Sequence, residues 1–206
     1  AKEKLKHIVS KDAFNIDGLG KKVIDQFWSL NLIKRPSDIF NIDYKKINNL
    51  EGWGKLSINN LRKAVEKSKN IELDRFIYSI GIRHIGQENA KILASFFKTI
   101  NKFSDLFNKK KRKKILENLI NLDGIGEIQI YSIDNFFNND NNISILEKLI
   151  EKLNIKDFKV QNKKGKFSNK TIMFTGGFEK MSRSEAKSLV ENNGGKVLGT
   201  ISKKLN

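Results

Sequence analysis

The chain has 206 residues, 38% hydrophobic and 31% charged, with a formal net charge of +17. That is enough for one large domain or two small ones, and the basic excess favours polyanionic partners. The absence of Cys excludes disulfides, thiolate zinc sites and cysteine nucleophiles, His7 and His84 lack metal-ligand spacing, and no apolar run is long enough to span a membrane.

The charge alone counts for little, because Lys, Asn and Ile crowd the chain as they do in A/T-rich coding sequences. Its placement counts for more. Ala1 opens neither a signal peptide nor a chain with an initiating Met, so a cytoplasmic fragment of a longer protein is expected.

Residues 1–10 read as a basic lead-in, and Ser10 is placed to cap a short helix through Phe14, with Asp12 in its first turn. Ile16-Asp17-Gly18-Leu19-Gly20-Lys21 follows, and then Val23, Ile24, Phe27 and Leu30 recur at helical spacing. Pro36 is the only proline, and Ser37 can cap a short helix that turns Ile39 and Phe40 inward. Asp43 can cap another, leading into Leu50-Glu51-Gly52-Trp53-Gly54-Lys55. Ile58, Leu61 and Val65 predict a helix to about Lys69.

Leu73, Phe76, Ile77 and Ile80 form an amphipathic helix before Gly81-Ile82-Arg83-His84-Ile85-Gly86. Gln87 to Phe97 is again helical, and Phe103, Leu106 and Phe107 mark a short helix. The run Lys109 to Lys114 is either a polyanion-facing patch or a solvated helix start. Ile115, Leu116, Leu119 and Ile120 lead into Leu122-Asp123-Gly124-Ile125-Gly126-Glu127, and Leu146, Leu149, Ile150 and Leu153 stripe a closing helix.

One unit thus returns at intervals of roughly 32–40 residues, which predicts a helical array. In each copy the first glycine can take the positive φ that ends a helix, and His84 stands at that place in the third copy. The apolar residue between the glycines can plug the crease between two helices. The second glycine opens the next helix and lets another molecule approach its outward amides, which suit an anion. This is a helix–hairpin–helix reading: a grip on sugar-phosphate backbone that reads no bases. An ordinary αα turn with a glycine cap would carry the same residues. Glu127 replaces the Lys of the first two copies, so the fourth hairpin is expected to serve packing more than phosphate binding.

Residues 154–168 lose periodicity and read as a linker. Thr171 to Thr175 then reads as a buried strand, Ser182 and Glu185 as a capping box for a helix with Ala186, Leu189 and Val190, and Lys196 to Ile201 as a second strand. The expected architecture is mainly α: a tandem helix–hairpin–helix domain over residues 1–153, a linker, and one β–α–β unit over residues 169–206.

The order of parts resembles the C-terminal portion of bacterial NAD-dependent DNA ligases, in which a helix–hairpin–helix domain precedes a BRCT domain. The resemblance rests on His7-Ile8-Val9-Ser10-Lys11, Ile16-Asp17-Gly18-Leu19-Gly20, Phe76 to Gly86, Met181 to Lys187, Gly194-Gly195-Lys196-Val197 and Ser202-Lys203-Lys204. It implies that Gly18, Gly20, Lys21, Gly52, Gly54, Lys55, Arg83, His84, Gly86, Gly124 and Gly126 face duplex or nicked DNA. It also implies that Thr175, Gly176 and Lys187 lie where phosphate-binding BRCT domains place their contacts, in a domain represented here by about its first half. The family's Lys-x-Asp-Gly nucleotidyl motif and four zinc-binding cysteines do not occur in the chain. NAD, Mg²⁺ and Zn²⁺ are therefore implied for the whole enzyme and none for this chain. It is expected to act as a monomer, without membrane contact and without catalysis of its own. The alternatives are a non-enzymatic DNA-repair module, as in an excinuclease subunit or an X-family polymerase, and a protein–protein scaffold.

Overall fold

A computed structural model describes residues 2–159, 165–176 and 183–198. The chain divides into two compact units, residues 1–159 and 160–206.

The first unit begins with α1 (Lys2–Val9), where a basic lead-in was expected. Leu5, Ile8 and Val9 are buried at helical spacing beneath the lysines. Residues 10–14 form a turn in place of the expected capped helix. That turn is held from afar: the Arg75 guanidinium donates to the Ala13 and Lys11 carbonyl oxygens. Helix α2 (Lys21–Ser29) follows, then a 3-10 turn over Pro36–Asn41 with Ile39 and Phe40 buried. The cap of that turn is the Asp38 carboxylate, which accepts from the Arg35 amide at 2.7 Å. The short α3 (Tyr44–Ile47) is capped by Asp43, as expected, through the Lys45 amide at 3.1 Å.

Helix α4 (Lys55–Ser68) leads to strand β1 (Asn70–Glu72), and then α5 (Leu73–Ser79), α6 (Gln87–Phe97) and α7 (Ile100–Ser104) follow. A 3-10 turn at Asp105–Phe107 precedes α8 (Lys109–Leu119), α9 (Glu127–Phe137) and α10 (Asp140–Ile150). The lysine run is therefore the opening of a helix, and the Asn108 side chain accepts from the Lys110 and Lys111 amides. One contiguous core runs from Leu5 to Leu149. Its centre is a set of phenylalanines in edge-to-face contact, with Phe103 touching Phe76, Phe97 and Phe137 at centroid distances of 6.4, 5.3 and 5.8 Å.

The stretch expected as linker begins with a strand. In β2 (Asn154–Lys156) each residue pairs in parallel with β1, in the register Asn70↔Asn154, Ile71↔Ile155 and Glu72↔Lys156. Asn154 Nδ2 donates to Asn70 Oδ1 at 2.7 Å, Lys156 Nζ meets Glu72 at 3.1 Å, and the Phe158 amide donates to the Lys98 carbonyl at 2.7 Å. Residues 154–158 are thus tied into the helical unit.

The second unit contains β3 (Thr171–Met173), α11 (Arg183–Asn192) and β4 (Lys196–Leu198). The strands pair in parallel, Ile172 opposite Val197, so the connection is the expected β–α–β crossover. Ala186 and Val190 are its buried side chains among the described residues. Ser182 of the expected capping box lies outside the described residues.

Candidate nucleic-acid interface

All four glycine units fold into the same hairpin. The first position is left-handed in each, with φ of +82° at Gly18, +81° at Gly52, +61° at His84 and +91° at Gly124. The next residue is drawn inward: Leu19, Ile85 and Ile125 are buried. Trp53 is half-buried against Phe27, and its indole N–H donates to Gln26 Oε1 at 3.3 Å. Its amide and those of Leu19, Ile85 and Ile125 all donate three residues back, at 3.0–3.1 Å, to Leu50, Ile16, Ile82 and Leu122. The second glycine is then the N-cap of the following helix: Gly20 for α2, Gly54 for α4, Gly86 for α6 and Gly126 for α9.

The second glycine is not required by the fold. At Gly20, Gly54 and Gly86 the φ values are −72°, −114° and −82°, open to any residue. A Cβ placed at any of the three would find nothing within 4 Å. What a side chain would obstruct there is approach from outside. Lys21 and Lys55 stand exposed at the first helical position beside two of these glycines.

The fourth copy differs. The Gly126 amide donates to the Gln129 side chain at 3.0 Å, and exposed Glu127 follows it. In the second copy the Gly54 amide likewise reaches Ser57 Oγ at 2.9 Å. The Gly20 and Gly86 amides have no such side-chain acceptor among the described residues. The first and third hairpins therefore present the freer anion sites.

The hairpins come together in twos. Gly18, Gly52 and Trp53 line one groove of about 380 Å³. Arg83 and His84 of the third hairpin face Glu127, Ile128 and Tyr131 of α9 across another of about 700 Å³. In the second unit Thr175 and Gly176 are exposed, Gly176 with φ of +82°, and Lys187 lies 3.9 Å from Glu191.

A residue the sequence reading missed is Arg112, inside the lysine run. It is 3% exposed and bonds Asp134, the Leu106 and Phe137 carbonyl oxygens and Asn138. His7, by contrast, is satisfied by the Tyr78 carbonyl at 2.9 Å. Among the described residues no three His, Asp or Glu side chains converge, and the chain has no Cys. No helix of the described residues is long and apolar enough to cross a membrane.

Four hairpins of like backbone geometry in a helical unit, followed by a β–α–β unit, define a helix–hairpin–helix protein with a small α/β appendage. The model of the helix-hairpin-helix motif matches residues 75–146, and that of the BRCA1 C Terminus (BRCT) domain matches residues 162–206. The first two hairpins lie outside the matched stretch and share its geometry. The chain is also 53% identical over 203 residues to a DNA ligase of Pelagibacter ubique, covering 98% of this chain and 29% of that protein. DNA ligases of Rickettsia canadensis and Rickettsia bellii are 41% and 40% identical over 97% of the chain and 30% of their own length. The chain is thus homologous over nearly its whole length to the C-terminal region of bacterial DNA ligases, and spans about 30% of the length of those relatives.

Proposed function

We propose that this chain is the DNA-holding part of a DNA ligase that seals nicks in duplex DNA during replication and repair. The hairpins hold sugar-phosphate backbone through helix-start amides and Lys21, Lys55, Arg83 and His84, and read no base sequence. In the whole enzyme NAD supplies the adenylyl group that activates the 5′-phosphate; this chain's residues bind and orient the duplex. The protein acts in the cytoplasm as a monomer. The observation that carries the reading is the second glycine: three of them sit in open space with ordinary backbone angles, so their missing Cβ serves an outside molecule. The relatives, named DNA ligase, fit that occupant.

The test is a fluorescence titration of duplex DNA over a range of salt, with circular dichroism as a folding control. If about four to six phosphates are engaged, log affinity falls against log salt with a slope on the order of −4 to −5, whatever the sequence. Gly20→Val and Gly54→Val are expected to stay folded and bind more weakly. Folded variants that bind like the parent would leave the hairpins as turns and return the chain to a protein scaffold. Incubated alone with NAD, Mg²⁺ and nicked duplex, the chain is expected to form neither adenylylated protein nor sealed product.

A further inference from the structure

Among the described residues the most exposed large apolar side chains are Leu56, Tyr131 and Ile128, at 74%, 69% and 63%. A lone exposed leucine needs no explanation. These are not scattered. Leu56 stands two residues after Gly54 and Ile128 two residues after Gly126, the same place in two copies of the repeat, one from each couple of hairpins. Lys22 and Glu88 hold that place in the other copies, so the helix itself has no need of an apolar residue there. Tyr131 lies three residues on from Ile128, on the same face of α9, and both line the groove with Arg83 and His84.

We propose that Leu56, and Ile128 with Tyr131, pack against deoxyribose beside the phosphates held by the neighbouring hairpins. The inference rests on the reading of the hairpins as a DNA grip. Two residues of helix advance only about 3 Å while turning through about 200°, so the Cα of each of these residues lies within about one sugar's span of the glycine before it. The backbone of DNA alternates charged phosphate with largely apolar sugar, and an aliphatic group at that distance meets the sugar. Glu127 repels phosphate at the fourth hairpin, where a sugar contact through Ile128 and Tyr131 takes over the work. Such a contact is insensitive to salt. It also favours DNA, because an RNA 2′-hydroxyl pressed on Leu or Ile would lose its hydrogen-bond partner.

The experiment compares the parent chain with Leu56→Gln/Ile128→Gln on a DNA duplex and the same duplex as RNA, at several salt concentrations. Both side chains are exposed, so the variant is expected to keep its circular dichroism spectrum. Its DNA affinity should fall about tenfold at every salt concentration, the size expected for partial burial of two aliphatic side chains, with an unchanged salt slope. Its RNA affinity should stay at the parent's value or rise, since Gln can bond the 2′-hydroxyl that Leu and Ile cannot. DNA binding equal to the parent's would overturn the proposal. So would a loss with a flattened slope, or an equal loss on both duplexes. A parent chain that binds neither duplex would instead overturn the DNA reading itself.

Discussion

The Arg112 guanidinium meets the Asp134 carboxylate at 2.9 Å, joining α8 to α9, the two helices that flank the fourth hairpin. The ion pair fixes the hairpin's arms from below, while its glycines face outward. The remaining guanidinium N–H groups reach the Leu106 and Phe137 carbonyl oxygens, both at 3.0 Å, and Asn138 Oδ1. Arg112→Ala would leave these acceptors without their donor and is expected to cost about 3 kcal/mol. Lys113→Ala, one residue on and exposed, should change stability by less than about 0.5 kcal/mol. Urea denaturation of the two variants checks this; equal, small losses would refute a structural role for Arg112.

The two glycines of a hairpin should separate in stability. Gly20→Ala meets no neighbour and needs no unusual angle, so its melting temperature should stay near the parent's. Gly52→Ala also meets no neighbour but must hold φ near +81°, at about 1 kcal/mol. Gly124→Ala should cost most, because its Cβ would lie 2.7 Å from Ile92 Cδ1 in addition to the strain at +91°. Thermal melts should rank the losses in that order; Gly20→Ala as the most destabilised would contradict it.

Charge at the first helical position should tune DNA binding copy by copy. Lys21→Ala and Lys55→Ala should each flatten the salt slope by about one unit, since each removes one phosphate contact. Glu127→Lys should steepen it by about one unit and raise affinity. A Glu127→Lys variant with the parent's slope would place the fourth hairpin away from phosphate altogether.

Lys2 and Lys6 bind Asp25 at 2.8 and 3.0 Å, joining α1 to α2, and their hydrogen bonds hold its carboxyl below the ordinary 3.8. The lowered folded-state value sets the sign. The pair's contribution is complete above the unfolded value and is lost as pH falls through the folded one. Asp25→Asn should therefore lower the urea midpoint by a constant amount from about pH 5 to 8, and the difference should shrink below about pH 4. A difference that grew in acid would show that the carboxylate is not the stabilised form.

The hairpins were legible because each demands something only a few residues supply. A left-handed residue followed by a buried plug and an open N-cap leaves Gly-apolar-Gly in the chain. His84 was recognisable by its place in the repeat, and its φ of +61° shows that position, not residue type, defines the unit. Helix α1 was hidden because Lys2, Lys4 and Lys6 interleave with its buried face. Strand β2 was hidden because its three residues gain order only from a partner 84 positions earlier. Arg112 looked like its lysine neighbours; its burial depends on acceptors on α9 and at its end, 22–26 residues away, that no local pattern announces. Leu56 and Ile128 were visible in the sequence, but their exposure was not.

The pairing of β1 with β2 also sets how the chain transmits force. The chain enters β1 from α4 at Asn70 and leaves β2 at Lys156 on its way to the second unit. In a parallel pair, pulling on the start of one strand and the end of the other slides them lengthwise and loads the connecting bonds together. Tension between α4 and the second unit therefore meets this ladder in shear. Tension arriving past Phe158 is met by the Phe158–Lys98 bond and then by this ladder, whose bonds take the load together rather than one after another.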